Sequence, residues 1–384
     1  MRAILARHFR RCGQYPIVLP LPAFNKYGSS HICLHNNVLL LGGLFNQVRS
    51  YASAVPALLN QQLLDDVEKN FWSTPLSQVM SDKPREAYIV KGDVALLEAL
   101  QQMVTNNIES VHVVASSIPE APHLGVFNER DFLHLLISQD SVELLHRKLE
   151  DFVQKQSHNI VCGLYDSVKD GIYLMEKHKI HLVPLVLRPN QPLENIMNRD
   201  CAQILSAIDL RNFLLSHVSL ETLRWFELIA VGDILKSMNR EARSTDHLVT
   251  VDAREVVADA CKRMLDNKVG CVVVGTFEGT NPLKPYPNYY SLLTQRDIVV
   301  QYLKSGKKAL KMPVAELVSS KPLRVSSPNF TTLQVLEMQY EDDCRFSAVF
   351  STDERDSQDL TSTCMALLST RDILRHCLMM LPSR

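Results

Sequence analysis

The residues best suited to chemistry lie in a seven-residue pattern that occurs four times along the chain. Each copy begins with a small residue and two apolar residues. A short polar residue and a variable one follow, and the copy ends with Arg and then Asp or Asn. The four copies are Gly125–Asp131, Ser206–Asn212, Ser291–Asp297 and Ala366–Asp372. Their last residues are 81, 85 and 75 positions apart, and such nearly even spacing indicates a duplicated structural unit.

The polar positions of the pattern are suited to binding a phosphorylated ligand. The fourth position holds residue types that cap helices, and a helix-like apolar stretch follows each copy. A helix N-terminus attracts anions, and the planar guanidinium group of Arg matches phosphate in a fork geometry. The final Asp can accept hydrogen bonds from sugar hydroxyl groups. The pattern therefore predicts a small site for a phosphorylated sugar or a nucleotide.

An ordinary helix start explains part of the same pattern. A capping residue followed three positions later by an acidic residue is common where no ligand binds. The repeated Arg needs another reason, because a cation in the first turn of a helix opposes the helix dipole. The fourfold Arg therefore favours the ligand-binding interpretation.

Composition and charge restrict the class of protein. The chain has 384 residues, of which 46% are hydrophobic and 22% charged, and its net charge is −1. This composition is typical of a globular protein without general affinity for nucleic acids or membranes. Nine Cys are scattered without a C-x-x-C pair, which argues against a zinc site or a disulfide framework and for a reducing compartment. No apolar run approaches the roughly 18–20 residues of a membrane span.

The amino-terminal segment differs from the rest of the chain in charge. The basic residues that precede the first acidic residue, Asp65, are Arg2, Arg7, Arg10, Arg11, Lys26 and Arg49. An Arg-rich, amphipathic segment free of acidic residues is typical of a mitochondrial transit peptide, and Arg49 lies three residues before a candidate cleavage point at Ala52. We therefore expect a transit peptide at 1–51 and a mature protein in the mitochondrial matrix. A basic tail on a cytoplasmic protein is the alternative.

The four units share one predicted order of elements, which is strand, helix, strand, loop, strand and helix. In the first unit the helix between the first two strands runs from Asp93 or Val94 to Asn107, because its apolar residues recur at helical spacing. In the second unit the last strand is predicted at Gln203–Ile208. A sheet of three short strands buries little apolar surface alone, so the units should pair. The only two Trp residues, Trp72 and Trp225, each precede two units and indicate two such pairs.

This pattern resembles tandem cystathionine-β-synthase (CBS) domains, two of which form a Bateman module. A chain with four of them is similar to the gamma regulatory subunit of AMP-activated kinase. The resemblance implies an α/β (α+β) fold of four β-α-β-β-α repeats paired into two Bateman modules. The expected segments are a transit peptide at 1–51, a lead-in helix at 52–72, repeats at 73–139, 147–218, 230–304 and 312–380, and a connector at 219–229.

The resemblance also implies which residues bind a ligand. In CBS proteins the Ser or Thr and the Asp of the motif hold the ribose of an adenine nucleotide, and nearby basic groups hold phosphate. The nucleotide-binding residues expected on this basis are Asn128, Arg130, Asp131, His181, Thr294, Arg296, Asp297, Ser369, Arg371 and Asp372.

The second unit departs most from the family motif. Asp209 stands at the hydroxyl position and Asn212 replaces the Asp. His181, in the stretch Lys179-Ile-His181, is similar to a family His that reaches phosphate, and Leu182 stands where the family has Arg. The third and fourth units carry both polar residues of the motif, so the second module is expected to hold the better site.

The function that the resemblance implies is a non-catalytic sensor, which serves as a regulatory subunit of a kinase or another enzyme. AMP, ADP or ATP would bind in clefts between paired repeats as a regulatory ligand, and no cofactor is required. A structural or scaffolding subunit of a mitochondrial assembly, with degenerate sites, is the alternative. The motifs of serine hydrolases, P-loop proteins, zinc peptidases and dinucleotide-binding enzymes do not occur, so no catalytic or metal site is predicted. The expected partners are the nucleotide and an unidentified protein, and a homodimer remains open.

Overall fold

The computed structural model describes residues 57–138, 143–153, 160–178, 180–189, 195–241, 248–276, 288–318, 325–351 and 363–381. The transit-peptide prediction at 1–51 lies outside the described residues. The four repeats lie in one unit of the chain, Leu58–Arg384. Among the described helices, none has the length and apolar character needed to cross a membrane.

Four successive parts of the chain form the same small arrangement of strands and helices, after a lead-in helix α1 (Ala57–Val67). Repeat 1 contains β1 (Ile89–Lys91), α2 (Leu96–Thr105), β2 (Ser110–Val114), β3 (His123–Asn128) and α3 (Glu129–Ser138). Repeat 2 contains β4 (Cys162–Gly163), α4 (Val168–Lys177), β5 (Leu182–Val186), β6 (Cys201–Ser206) and α5 (Ala207–His217).

The second half of the chain repeats this order after two connecting helices, α6 (Leu220–Leu228) and α7 (Val231–Glu241). Repeat 3 contains β7 (Thr250–Asp252), α8 (Val257–Asp266), β8 (Cys271–Thr276), β9 (Asn288–Thr294) and α9 (Gln295–Ser305). Repeat 4 contains β10 (Val325–Ser326), α10 (Thr332–Glu341), β11 (Phe346–Ser351), β12 (Thr363–Ser369) and α11 (Thr370–Met379). The predicted β-α-β-β-α order is confirmed in all four units.

Every repeat has the same sheet topology. The first strand is parallel to the middle strand, and the middle strand is antiparallel to the last. A parallel connection needs a crossover, which the first helix of each repeat supplies. Buried apolar side chains of these sheets and helices form one large core, and a small second core consists of Val114, Val186, Ile196 and Cys201.

Repeats 1 and 2 form one pair, and repeats 3 and 4 form the other. Isolated backbone bridges join the members of each pair, for example Pro122–Met197 in the first pair and Ala230–Thr331 in the second. The two pairs then pack helix against helix, with α3 on α8 and α9, and α11 on α4 and α5. The predicted pairing of the units is therefore confirmed, and contacts between helices join the halves of the molecule.

Aromatic residues link the two segments that precede the pairs. The ring of Phe226 lies 6.1 Å from the buried ring of Trp72. The ring of Phe226 also lies 5.9 Å from the ring of Phe71, in an edge-to-face arrangement. Trp225 is partly buried against the same large core, and its Nε1 donates to the Cys377 carbonyl at 3.4 Å. Both Trp residues therefore contribute to the apolar core of the molecule.

Strand register aligns the four repeats residue by residue. In each repeat the first residue of the middle strand pairs with the residue that precedes the second helix. These pairs are Ser110–Asn128, Leu182–Ser206, Cys271–Thr294 and Phe346–Ser369. The equivalent residue of repeat 2 is thus Ser206, whereas the sequence pattern placed Asp209 there.

The alignment predicted for repeat 2 is wrong by three residues, because its capping position is held by Ser206 and not by Asp209. The last strand ends at Ser206 rather than Ile208, and α5 begins at Ala207. Ser206 has an extended backbone and its side chain accepts a hydrogen bond from the N–H of Asp209, which makes it the N-cap residue. Ser206 is small and two apolar residues follow it, as at the start of the other three copies. The sequence pattern therefore places Ser206 at the first position of the copy rather than at the capping position.

Candidate functional site

The second helix of each repeat begins with a capping residue and an Asp that bond each other. In repeat 3 the Thr294 hydroxyl accepts a hydrogen bond from the backbone N–H of Asp297 at 3.2 Å. The Asp297 carboxylate Oδ2 accepts one from the N–H of Thr294 at 2.9 Å. Ser369 and Asp372 make the same two bonds in repeat 4, both at 3.1 Å. The cap uses Oδ2 of each carboxylate. Oδ1 of Asp372 lies 3.7 Å from Nη2 of Arg371, the residue that precedes it.

Repeats 1 and 2 make the same structure with small changes. In repeat 1 the side-chain oxygen of Asn128 takes the place of the hydroxyl, with both reciprocal bonds to Asp131 at 3.0 Å. In repeat 2 the pair is Ser206 and Asp209, so this repeat has both polar residues of the motif. Ile208 stands where the other repeats have Arg. The expectation that repeat 2 lacks the motif Asp is therefore wrong, and what it lacks at this position is the cation.

The four arginines of the pattern reach across the junction between the two pairs. Each donates a hydrogen bond to a backbone carbonyl group in the turn that precedes the middle strand of the opposite repeat. The donor and acceptor residues are Arg130 to Lys268, Arg211 to Cys344, Arg296 to Ile108 and Arg371 to Ile180. Repeats 1 and 3 exchange such bonds, as do repeats 2 and 4. These contacts give the fourfold Arg a role in packing that the sequence did not reveal.

Arg211 makes this contact from a different position on its helix. It is five residues after its cap, Ser206, whereas Arg296 is two residues after Thr294. Positions three residues apart lie on the same face of a helix, so Arg211 reaches the equivalent carbonyl group. Arg211 thus stands three residues later on its helix than the other three arginines do. A pattern that aligns the four arginines with one another therefore places repeat 2 three residues out of register.

Arg296 is held by three groups of repeat 1. Its Nε lies 2.5 Å from Oε1 of Glu129, its Nη1 donates to the Met103 carbonyl at 3.1 Å, and its Nη2 donates to the Ile108 carbonyl. Burial raises the pKa of Glu129 to about 7, and the charge of Arg296 opposes this shift. Because its guanidinium group is engaged in this way, the structure favours a role for Arg296 in joining repeats 1 and 3 over the predicted contact with phosphate.

A cavity of about 400 Å³ lies where the four repeats meet. This volume is within the range of roughly 300–1,000 Å³ that is common for small-molecule sites. Repeats 1 and 4 contribute the turns at 106–110 and 343–346, and repeats 2 and 3 contribute the starts of their second helices. Apolar side chains on its walls, suited to a flat ring, are Ile108, Leu182, Ile204, Leu292 and Phe346. This is the central cavity.

Each of the three cations that line or border the central cavity faces a carboxylate. The ion pairs are Lys83–Asp209, Arg345–Glu109 and Arg296–Glu129. Asp209 also accepts two hydrogen bonds from Ser206 through Oδ2, so both of its oxygens are in use. Asp297 differs, because none of the contacts made by the described residues engages its Oδ1 atom. The central cavity therefore has an open acceptor at repeat 3, but its cations are already neutralised.

Arg130, His181 and Arg371 form a second group, the arginine cluster, between repeats 1, 2 and 4. Burial lowers the pKa of Arg130, and the nearby charge of Arg371 lowers it further against the opposing effect of Asp131. Burial lowers the pKa of His181 to about 3, with the charges of Arg371, Arg130 and Arg345 acting in the same direction. His181 is therefore neutral near pH 7, and two guanidinium groups concentrate positive charge around it.

Two further features of the arginine cluster are suited to an anion. The helices α3 and α11 both begin beside it, after their caps Asn128 and Ser369, and a helix N-terminus carries partial positive charge. The Nε atom of Arg371 is buried and has no hydrogen-bond partner among the described residues. A buried donor without a partner is rare in folded proteins and indicates a missing acceptor.

The ten predicted site residues fall into two places. Thr294, Arg296 and Asp297 line the central cavity. The arginine cluster holds Arg130, His181 and Arg371, and the residues that cap its two helices are Asn128, Asp131, Ser369 and Asp372. The two complete motifs of the second pair therefore contribute to different places, so neither place belongs to the second module alone.

Several residues around these places were not predicted. Lys83 and Glu109 pair with other residues at the central cavity, and their importance depends on contacts between distant parts of the chain. Arg345 could have been found, because it precedes the middle strand of repeat 4 as His181 precedes that of repeat 2. Aligning the repeats on their middle strands as well as on the Arg would have placed these two residues at one position.

The fold is similar to that of solved structures, although the sequence matches no protein-family model and no curated protein. One is a protein from Methanocaldococcus jannaschii described as a candidate archaeal homolog of g-AMPK. It has a TM-score of 0.57 and 12% identity over 79% of this chain and 99% of that chain. A CBS domain protein from Pyrobaculum aerophilum, complexed with AMP, has a TM-score of 0.28 and 18% identity over 35% of this chain and 88% of that chain.

The first of these similarities shows the fold of the chain. Together with the four matching sheets, it confirms the predicted α/β architecture of tandem CBS repeats. The chain also resembles the gamma subunit of AMP-activated kinase, as the sequence pattern predicted. At 12% identity the similarity does not extend to a ligand or a partner.

Proposed function

We propose that this chain is a non-catalytic regulatory protein that binds an adenine nucleotide, AMP, ADP or ATP, at the junction of its four CBS repeats. The observation that carries the proposal is the arginine cluster, where the buried Nε of Arg371 has no hydrogen-bond partner among the described residues and Arg130 lies beside it. The carboxylates of Asp131 and Asp372 offset part of this positive charge, since Asp131 raises the pKa of Arg130 and Oδ1 of Asp372 lies 3.7 Å from Nη2 of Arg371. A phosphate group between the two guanidinium groups would remove the remaining repulsion.

The surroundings of the cluster support a nucleotide rather than phosphate alone. Asp131 and Asp372 directly follow Arg130 and Arg371 in the sequence, and their carboxylates can accept hydrogen bonds from ribose hydroxyl groups. The central cavity nearby has apolar walls and the open Oδ1 acceptor of Asp297. Arg345 lines that cavity and also acts electrostatically on His181, so the two places are neighbours. A base and a ribose could therefore be accommodated beside a phosphate site.

Regulation would follow from the way the repeats are joined. The arginine cluster draws on both pairs, because Arg130 belongs to the first pair and Arg371 to the second. A ligand that bridges these arginines binds one arrangement of the pairs better than another. Differential affinity of this kind is what transmits a signal to a partner. We propose that the partner is a kinase or another enzyme whose activity depends on this arrangement.

A scaffolding subunit with degenerate sites is the second candidate, and two observations favour it. The Lys83 ammonium group neutralises Asp209, and Arg296 is committed to Glu129. Both contacts occupy groups that a nucleotide would use. In this reading the arginines only join the repeats, and the chain holds an assembly together without responding to a ligand.

Thermal unfolding of the full chain with AMP, ADP, ATP or S-adenosylmethionine, each near millimolar, tests the two candidates. A ligand at about 100 times its dissociation constant stabilises the folded state by about 2.7 kcal/mol, which corresponds to a shift of a few degrees. We expect a shift with at least one adenine nucleotide and a smaller one with adenosine. No shift with any of the four ligands would favour the scaffold.

We also propose that the mature protein is mitochondrial, on the basis of the Arg-rich, acid-free sequence at 1–51. The test is import of a reporter fused to residues 1–51 into isolated mitochondria, followed by sequencing of its new amino terminus. Import with a cut before Ala52 is expected. A reporter that stays outside and uncut would favour the cytoplasmic alternative.

A further inference from the structure

Two histidines and a cysteine meet at the interface of repeats 1 and 2, away from the arginine cluster. His112 lies on β2, His123 on β3 and Cys201 on β6. The Nδ1 atom of His112 is 3.2 Å from Nε2 of His123, and one nitrogen of each ring and the Cys201 sulfur all lie within 4.8 Å of one another. His112 and Cys201 are fully buried, while His123 is partly exposed.

Hydrogen bonds on the outer side of the rings determine what the inner nitrogens offer. The Nε2 atom of His112 lies 3.1 Å from the carbonyl oxygen of Gln203, to which only an N–H can donate. A neutral imidazole has one N–H, so Nδ1 of His112 presents a lone pair toward His123. The ring of His123 bonds the backbone of Gly125. If the single N–H of the neutral His123 ring makes that bond, Nε2 of His123 presents a second lone pair toward Nδ1 of His112. A cation between these two nitrogens would bind both lone pairs.

We propose that His112, His123 and Cys201 bind one Zn²⁺ ion. Imidazole nitrogen and thiolate sulfur are the ligands that Zn²⁺ prefers, whereas Ca²⁺ and Mg²⁺ require oxygen. Tetrahedral zinc with Zn–N bonds of about 2.0–2.1 Å has neighbouring nitrogens about 3.3 Å apart, close to the 3.2 Å between the two rings. Histidine ligands usually donate their other N–H to a carbonyl or carboxylate, as His112 does to Gln203.

Binding would change the protonation of one side chain. The Cys201 thiol donates to the Met197 carbonyl at 3.6 Å, so it carries its proton in the absence of metal. On binding, the sulfur–hydrogen bond breaks, the proton leaves to solvent, and the sulfur electron pair forms the bond to Zn²⁺. Three protein ligands leave one coordination position for water, which can enter beside the partly exposed His123.

The site would join the two repeats of the first pair. Two ligands come from the sheet of repeat 1 and the third from the last strand of repeat 2. Zinc would therefore stabilise the first pair without touching the arginine cluster. The sequence did not predict it because the ligands stand at 112, 123 and 201, with no short spacing between the cysteine and the histidines.

Metal titration of the full chain, after treatment with a chelator, tests the proposal. Co²⁺ serves as a coloured probe, because tetrahedral cobalt with a thiolate ligand has ligand-field and charge-transfer absorption bands. We expect about one Co²⁺ per chain, displaced by Zn²⁺, and a rise in unfolding temperature with Zn²⁺. The charge-transfer band should be lost in Cys201→Ser, and His123→Gln should weaken binding at least tenfold. Cys261→Ser, a buried cysteine of repeat 3, is the matched control and should bind as the wild type does.

X-ray absorption of the zinc-loaded wild-type chain gives a second answer that does not depend on variants folding. One sulfur neighbour at about 2.3 Å and two imidazole nitrogens are expected. The proposal is overturned if zinc has only oxygen and nitrogen neighbours, if no stoichiometric metal binds, or if Cys201→Ser keeps the charge-transfer band. In each of these cases the two histidines simply share one hydrogen bond.

Discussion

The guanidinium group of Arg371 in repeat 4 lies close enough to that of Arg130 in repeat 1 for its charge to lower the pKa of Arg130. Like charges are seldom placed together in a protein unless an anion separates them. Arg371 makes only a long contact of 3.7 Å with the carboxylate of its neighbour Asp372, whereas Arg296, at the same position of the pattern in repeat 3, lies 2.5 Å from the buried carboxylate of Glu129. One repeated Arg therefore has two different surroundings, and variants of it separate ligand binding from packing.

Replacing Arg371 with Gln should weaken nucleotide binding much more than it weakens the fold. The substitution removes charge-assisted hydrogen bonds to phosphate, which are worth roughly 1.5–3 kcal/mol each, and so should raise Kd about tenfold or more. It also removes the hydrogen bond to the Ile180 carbonyl and the long ion pair with Asp372, but it relieves the repulsion with Arg130. The free energy of unfolding without ligand should therefore change by no more than about 1 kcal/mol. Isothermal titration with AMP and denaturant unfolding measure the two quantities. Loss of stability with unchanged affinity would contradict this prediction.

Replacing Arg296 with Gln should have the opposite effect. The substitution leaves the Glu129 carboxylate buried without its partner, and breaking a buried ion pair costs about 3–5 kcal/mol. Urea unfolding measures this loss. The double variant Arg296→Gln/Glu129→Gln should recover part of the stability, because no charge is then left buried.

The control for this prediction is the exposed ion pair of Arg199 and Glu120. Arg199→Gln should cost no more than about 1 kcal/mol, since exposed ion pairs contribute little. Equal effects of Arg199→Gln and Arg296→Gln would show that the contact between repeats 1 and 3 is not important for stability.

Ser206→Ala should destabilise the chain by about 1 kcal/mol, the usual cost of removing a cap from a helix. The reason is that Ser206, and not Asp209, caps the second helix of repeat 2. Ser206→Thr keeps the hydroxyl group and should retain most of the stability. Denaturant midpoints of the two variants provide the comparison, and an Ala variant as stable as the Thr variant would favour the original alignment of the repeat.

Acid should destabilise the fold in part through His181. Its pKa is about 3 in the folded chain and about 6.5 when unfolded, so the folded state binds fewer protons between these values. Stability is therefore lost as the pH falls below about 6.5, and at pH 5 this one group accounts for about 2 kcal/mol. His181→Asn should lose correspondingly less stability between pH 7 and pH 5 in urea titrations. Equal losses would show that His181 is protonated as easily in the folded state.

Much of the fold could be predicted from the sequence because the relevant signals are local. Apolar residues at helical spacing marked the first helix of each repeat, and capping residues such as Thr294 and Ser369 marked the second. Even spacing of these signals revealed four units, and the small size of each unit implied pairing. None of these steps needed contacts between distant residues.

The surroundings of the repeated Arg could not be predicted in this way. Arg296 bonds the Ile108 carbonyl, and nothing near either residue in the sequence indicates the other. Repeat 2 was aligned wrongly for a related reason. Arg211 satisfies the same kind of contact with the Cys344 carbonyl from a position one turn further along its helix. A sequence pattern records the residue type, whereas the contact depends on which helix face reaches the opposite repeat.

The most direct measurement of the central claim is equilibrium binding of AMP, ADP and ATP to the full chain and to two variants. At least one nucleotide should bind the wild type, Arg130→Gln/Arg371→Gln should weaken binding by tenfold or more, and Arg296→Gln should retain binding where the variant remains folded. Binding that survives the double substitution undiminished, or no binding to the wild type by any of the three nucleotides, would contradict the assignment of the arginine cluster as the phosphate site.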